Sequence, residues 1–207
     1  MDAATSVTKR LIVGITGASG IIYGVRLLER LRDSDIETHV VMSQWAARTL
    51  VHETPYTVQQ VQDLAAERYA IGDVGSAIAS GSFLTMGMII VPCSMRTLGA
   101  IAHGVGDNLI HRAADVILKE RRRLVLAVRE APLSEIHLEN MLKLARMGVS
   151  ICPPTPAFYT HPTTIDELVN YSVTRLLDQL GIHLPAEERW DGDMRKPAPR
   201  DGQNPSA

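Results

Sequence analysis

Short, nearly unbroken apolar runs alternate along this chain with segments whose apolar residues recur every three to four positions. Leu11-Ile12-Val13-Gly14-Ile15, His39-Val40-Val41-Met42, Met88-Ile89-Ile90-Val91, Leu124-Val125-Leu126-Ala127-Val128 and Val149-Ser150-Ile151-Cys152 are runs of the first kind. Strands covered on both faces read this way, because neither face alternates with solvent. The helical patterns lie between them: Ile22 to Leu31, with Val25, Leu28 and Leu31 on one stripe, and Gln44 to His52 behind a Ser43 cap. Asn108 to Arg121 follows an Asp107 cap, and Glu135 to Met147 starts at Ser134 and ends at Gly148. Thr164 and Glu167 make a capping box for a helix running to about Leu180, closed by Gly181. Pro92 is expected to stop the third strand, and Ser94 to lead into a further helix.

Repeated strand–helix–strand crossovers predict a parallel, doubly wound α/β sheet of Rossmann-like (flavodoxin-like) type in a single domain. Ligands of such sheets bind outside the carboxyl ends of the strands. The domain is expected to span residues 9–190. Residues 1–8 are polar and read as disordered, and 191–207, rich in Pro, Gly, Asp and Arg, as a disordered or partner-wrapping tail.

With 207 residues and 45% hydrophobic content, the chain can bury a sizeable core. Its formal net charge of −2 gives no general attraction to nucleic acid or an anionic membrane, so a bound anion must be held by local groups. No apolar run approaches the ~20 residues of a membrane helix. The N-terminus lacks an apolar signal core, and Cys93 and Cys152 form neither a zinc spacing nor a disulfide framework. These features predict a cytoplasmic protein without a metal site. The scattered histidines show no metal-binding spacing.

The first strand runs into Gly14-Ile15-Thr16-Gly17-Ala18-Ser19-Gly20. Glycines there let the backbone approach an anion, and the following helix offers N–H donors. A tight strand-to-helix turn with no ligand is the less favoured alternative at this position. The Gly-Lys-Ser/Thr ending of a Walker loop is absent, and the glycine spacing departs from G-x-G-x-x-G. The second strand ends in Met42-Ser43-Gln44, without the carboxylate that would hold a dinucleotide's ribose. A mononucleotide phosphate is therefore preferred. A second anion candidate, Pro92-Cys93-Ser94-Met95-Arg96-Thr97, follows the third strand, where a plain Ser cap is an equal reading. Arg129-Glu130 closes the fourth strand, Lys119 lies two turns after Arg112, and Cys93 reads as a small buried side chain.

Taken as an ordered set, several segments resemble the UbiX/Pad-type flavin prenyltransferases. They are Gly17-Ala18-Ser19-Gly20, Pro92 to Leu98, Arg112-Ala113-Ala114-Asp115-Val116, Leu118-Lys119-Glu120-Arg121-Arg122, Arg129-Glu130-Ala131-Pro132-Leu133, His137-Leu138-Glu139-Asn140-Met141 and Pro156-Ala157-Phe158-Tyr159. The resemblance runs from about Lys9 to Trp190. It implies an FMN-binding, homo-oligomeric enzyme, assembled into a dodecamer. Its reaction would join a dimethylallyl group from dimethylallyl monophosphate to N5 and C6 of reduced FMN. The prenylated FMN would pass to a UbiD-type decarboxylase.

Position by position, the resemblance places Gly17, Ala18, Ser19, Ser43, Ser94, Met95, Arg96, Thr97 and Arg129 on FMN. Tyr159 and Arg175, helped by Lys119 and Arg112, would bind the prenyl phosphate, and Trp190 would close the pocket. Ser19, Glu53 and Glu130 would handle protons. Arg96 stands where the family commonly has Lys, which keeps charge but not geometry. Competing readings are an FMN-dependent cysteine decarboxylase, a non-catalytic subunit that delivers FMN, and direct decarboxylation of an aromatic acid.

Overall fold

The computed structural model describes residues 9–184 and Gly192. The two terminal segments expected to be disordered, and Trp190, lie outside the described residues. Within them run β1 (Lys9–Ile15), α1 (Ile21–Leu31), β2 (Ile36–Met42), α2 (Gln44–Glu53), α3 (Val58–Gln62) and β3 (Glu67–Tyr69). Then follow β4 (Gly87–Cys93), α4 (Met95–Ala102), α5 (Leu109–Lys119), β5 (Arg123–Val128), α6 (Glu135–Arg146), β6 (Ser150–Ile151) and α7 (Ile165–Gln179).

The six strands form one parallel sheet in the order β3-β2-β1-β4-β5-β6. This is the Rossmann order, and the chain reverses direction across the sheet between β1 and β4. Because strand side chains alternate, each strand feeds two cores. Leu11, Val13, Ile15, Val40, Met42, Ile89, Val91, Val125 and Ala127 face α1, α2 and α7. Ile12, Val41, Met88, Ile90, Leu124, Leu126 and Val128 face α4, α5 and α6. The continuous apolar runs of the sequence are thus explained: a helix layer covers both faces.

Three local readings need correction. β4 runs through Pro92 to Cys93 rather than stopping before it, with a register irregularity between Ile90 and Cys93 where the missing proline N–H falls. The cap of α5 is Asn108, whose side chain accepts the His111 N–H at 3.1 Å, and not Asp107. β3 and α3 gave no signal in sequence, because Glu67-Arg68-Tyr69 is a three-residue edge strand without an apolar run. The remaining caps are as read: Ser43, Ser94, Ser134 and Thr164 each accept a backbone N–H from the first turn of their helix.

Gly24, in the middle of α1, has a packing role. A Cβ there would lie 2.6 Å from the Val91 carbonyl oxygen, so its absence lets α1 settle onto β4. On its outer side α1 is tied to α7, where Arg26 donates to Asn170 and Asp166, and Arg30 donates to Thr174. Gly24→Ala should force the helix off the sheet and destabilise the protein by about 1–3 kcal/mol. Urea denaturation with an unchanged midpoint would show that α1 does not depend on this contact.

Candidate functional site

The carboxyl ends of β1 and β4 are locked together by one side chain. The Thr16 hydroxyl, buried beyond the end of β1, donates to the Pro92 carbonyl at 2.8 Å and accepts the Ser94 N–H at 2.8 Å. The Ser43 N–H donates to the Ile15 carbonyl at 2.9 Å, which brings the end of β2 to the same place. Gly17, Ser43 and Ser94 are therefore held side by side, although they come from three separate loops. Gly17 is required by close approach: a Cβ would lie 2.4 Å from Trp45 Cβ. Gly20 takes a left-handed backbone (φ 92°) as the N-cap of α1.

A cavity of about 530 Å³ opens above these loops. Thr16, Gly17, Ser43, Trp45, Ser94 and Thr97 line one part, and Ile71, Gly72, Asp107, Asn108, Ile110 and His111 another, with Gln44 and Arg96 completing it. The N-termini of α2, α4 and α5 all begin at its wall, so three positive helix ends meet in one concavity. Its size suits a mononucleotide-sized ligand. Three of the expected contacts, Ser43, Ser94 and Thr97, take part in helix caps, each leaving other hydrogen-bonding capacity for a ligand. Arg96 is largely exposed and pairs with Asp107 at 3.4 Å.

A second group adjoins this cavity through Ala18 and Ser19. The Glu53 carboxylate, at the end of α2, accepts the N–H groups of Gly20 at 2.9 Å and Ile21 at 3.0 Å, and the Ser19 hydroxyl bonds to it as well. Partial burial pushes the Glu53 carboxyl up, but the Ser19 hydroxyl, the two N–H groups and the nearby Arg129 charge outweigh it and hold its pKa below the ordinary 4.5. The structure thus unites Ser19, Glu53 and Arg129, residues 34 and more positions apart in pairs such as Ser19 and Glu53. Arg129 is anchored through its own N–H to the Cys93 carbonyl at 3.2 Å, and Glu130 is exposed beside it. Met95 starts α4 and packs against the core behind the cavity.

The other expected residues are not among those that line this cavity within one chain. Tyr159, on a short 3₁₀ turn, meets Tyr171 of α7 through their hydroxyls, with the rings edge to face. Arg175, one turn further along α7, pairs with Asp178 at 2.8 Å and lowers the burial-raised pKa of the Cys152 thiol. Arg112 pairs with Asp115 at 2.6 Å near the start of α5. Lys119 ends α5 and pairs with Glu120 at 2.6 Å, at the amino edge of the sheet where Arg123 opens β5. A helix running seven residues from Arg112 carries Lys119 about 10 Å away from the carboxyl edge. Cys93 is fully buried and its thiol is pushed far up by desolvation, as a packing residue requires.

Sequence reasoning missed Thr16, Trp45, Asn108 and His111 as site residues. Ile71 and Gly72 were missed too, because the edge strand that presents them was invisible. Only the G-D-N run before α5 carried a usable signal, and it was read as a cap.

These features define a mononucleotide-binding α/β protein. A family model described as Flavoprotein matches residues 2–177. Flavin prenyltransferase LpdB of Lactiplantibacillus plantarum is 56% identical over 186 residues, covering 89% of this chain and all of that protein. Among solved structures, AnUbiX in complex with FMN and dimethylallyl pyrophosphate superposes with a TM-score of 0.88 at 49% identity, covering 90% of this chain and 99% of that one. A dodecameric FMN-dependent UbiX-like decarboxylase from Escherichia coli O157:H7 gives 0.87 at 54% identity, covering 88% and 100%. The chain belongs to the UbiX-like flavin prenyltransferase family within the flavoproteins.

Two outcomes test the site. Thr16→Val should strand the Ser94 N–H and the Pro92 carbonyl, costing about 1–3 kcal/mol for each group left unpaired, whereas Thr16→Ser should restore most of the loss in denaturant titrations. The depressed Glu53 pKa means that its contribution to stability is present above pH 4.5 and is lost as pH falls through the lower folded value. The stability difference between wild type and Glu53→Gln should therefore be widest near neutrality and close on acidification. A difference that does not change with pH would show that Glu53 titrates as it does in the unfolded chain.

Proposed function

We propose that this protein is a flavin prenyltransferase that joins a dimethylallyl group to N5 and C6 of reduced FMN. The observation that carries this reading is the Ser19–Glu53–Arg129 cluster beside a mononucleotide-sized cavity. It puts a hydroxyl, an ionised carboxylate and a guanidinium at the rim of an anion site. Bound flavin supplies the nucleophilic ring atoms, and the chain supplies position and charge.

In this reading Gly17, Ala18, Ser19, Ser43, Ser94, Met95, Arg96, Thr97 and Arg129 hold FMN. Glu53, kept ionised by its donors, can take a proton through Ser19, as loss of the ring proton at C6 requires. Glu130 gives a proton to the departing phosphate. Tyr159, Arg175, Arg112 and Lys119 neutralise that phosphate, which leaves poorly while its charge is bare. Lys119, at the opposite end of the sheet, serves a neighbouring copy in a homo-oligomer. Trp190, which lies outside the described residues, would have the role of closing the pocket, where a cation near an indole gains about 0.5–2 kcal/mol. No helix among the described residues is long and apolar enough to cross a membrane. The prenylated flavin passes to a UbiD-type decarboxylase in the cytoplasm.

Relatives at over 50% identity that carry the prenyltransferase name favour this reading over a cysteine decarboxylase or an FMN-delivering subunit. Anaerobic incubation with reduced FMN and dimethylallyl monophosphate should yield a flavin heavier by one prenyl group, detected by mass spectrometry. Diphosphate tested in parallel identifies the donor, and unchanged flavin with both would refute the activity. Ser19→Ala and Glu130→Ala should retain FMN and slow product formation by about 10²–10⁴-fold. Tyr159→Phe should raise the KM for the prenyl donor. A wild-type rate in Ser19→Ala or Glu130→Ala, or an unchanged dependence on prenyl-donor concentration in Tyr159→Phe, would remove the role assigned to that residue.

A further inference from the structure

Among the described residues lining the cavity, three can carry charge: Arg96, Asp107 and His111. Three helix N-termini make this space an anion site, and a bare carboxylate in it would repel a bound anion. Asp107 is, however, compensated on two sides. His111 Nδ1 lies 2.5 Å from Asp107 Oδ1, and Arg96 Nη2 lies 3.4 Å from Asp107 Oδ2. Asn108 donates its amide to the Asp107 carboxylate at 3.1 Å, while its Oδ1 accepts the His111 backbone N–H at 3.1 Å.

The two cations differ in kind. Arg96 is mostly solvated and permanently charged, while the His111 side chain is only 3% exposed. With His111 neutral, the charges on the cavity wall sum to zero. With His111 protonated, they sum to +1. The charged groups acting on the imidazole are Asp107, from the loop before α5, and Arg96, from α4. Ile71 and Gly72, from the loop after β3, and Trp45, from α2, face the same space without charge.

We propose that His111 is a flavin-binding residue that takes up a proton when the phosphate of FMN enters the cavity, with Asp107 holding its Nδ1–H so that Nε2 carries the added proton. The inference rests on the reading of this cavity as the FMN site. Burial lowers the imidazole pKa more than Asp107 raises it, so the ring is neutral in the free protein at neutral pH. A phosphate dianion brought into this space supplies the opposite charge that makes protonation favourable. Since the second ionisation of a phosphate monoester lies near 6, FMN is already dianionic above about pH 7 and the proton goes to the protein.

Calorimetry of FMN binding to the whole protein in buffers of different ionisation heat counts that proton directly. Between about pH 7 and 8 the wild type should take up a proton, and its Kd should weaken by up to about tenfold per pH unit. Riboflavin, which lacks the phosphate, should bind with no uptake, and His111→Gln should bind FMN with a flat pH profile. Uptake that is zero in the wild type, or equal in His111→Gln, would overturn the proposal while leaving the flavin reading intact. The wild-type count stands by itself if the variant fails to fold. A complete lack of FMN binding would overturn the flavin reading, and this inference with it.

Discussion

The site depends on one buried hydroxyl. Thr16 donates to Pro92 and accepts from Ser94, and so spans the gap between β1 and β4 where the chain changes direction across the sheet. In a doubly wound sheet the loops at this point diverge to opposite faces, which opens the crevice that ligands use. A crevice of this kind needs a tie at its floor to keep its walls in register. Thr16 provides it by donating and accepting through a single hydroxyl, so the Pro92 carbonyl and the Ser94 N–H are both paired at the floor.

Around that floor the charges are arranged in two groups. On the α1 side, Glu53 is stabilised as an anion by two helix N–H groups and Ser19, with Arg129 nearby. On the α5 side, Asp107 is compensated by His111 and Arg96. Both carboxylates sit near helix N-termini, where a negative charge is favoured. They nevertheless differ in function on our reading: Glu53 is poised to accept a proton, while the Asp107 pair sets the charge met by an incoming phosphate.

The placement of Lys119 adds a constraint at the level of the assembly. Its helix begins at the carboxyl edge, but Lys119 itself lies at the amino edge, paired with Glu120. A single copy cannot bring it to its own Gly17 turn without dismantling α5. The alternation of sheet and helix that builds the cavity also carries part of the expected phosphate-binding charge away from it.

Much of the fold was legible because its signals are local. Strands buried on both faces must be apolar throughout, and helices need caps, so β1, β2, β4, β5 and the helices behind Ser43, Ser134 and Thr164 could be read directly. The glycine turn, the missing carboxylate after β2 and the ordered family motifs pointed to a flavin phosphate. β3 stayed hidden because three residues at a sheet edge have no period to detect, and with it the cavity wall at Ile71 and Gly72. What only the tertiary structure decided is proximity: Thr16 with Pro92 and Ser94, Ser19 with Glu53, Arg96 with Asp107 and His111. Such pairs are made by parallel crossovers that bring distant loops to one sheet edge, and no local pattern encodes which loops will meet there.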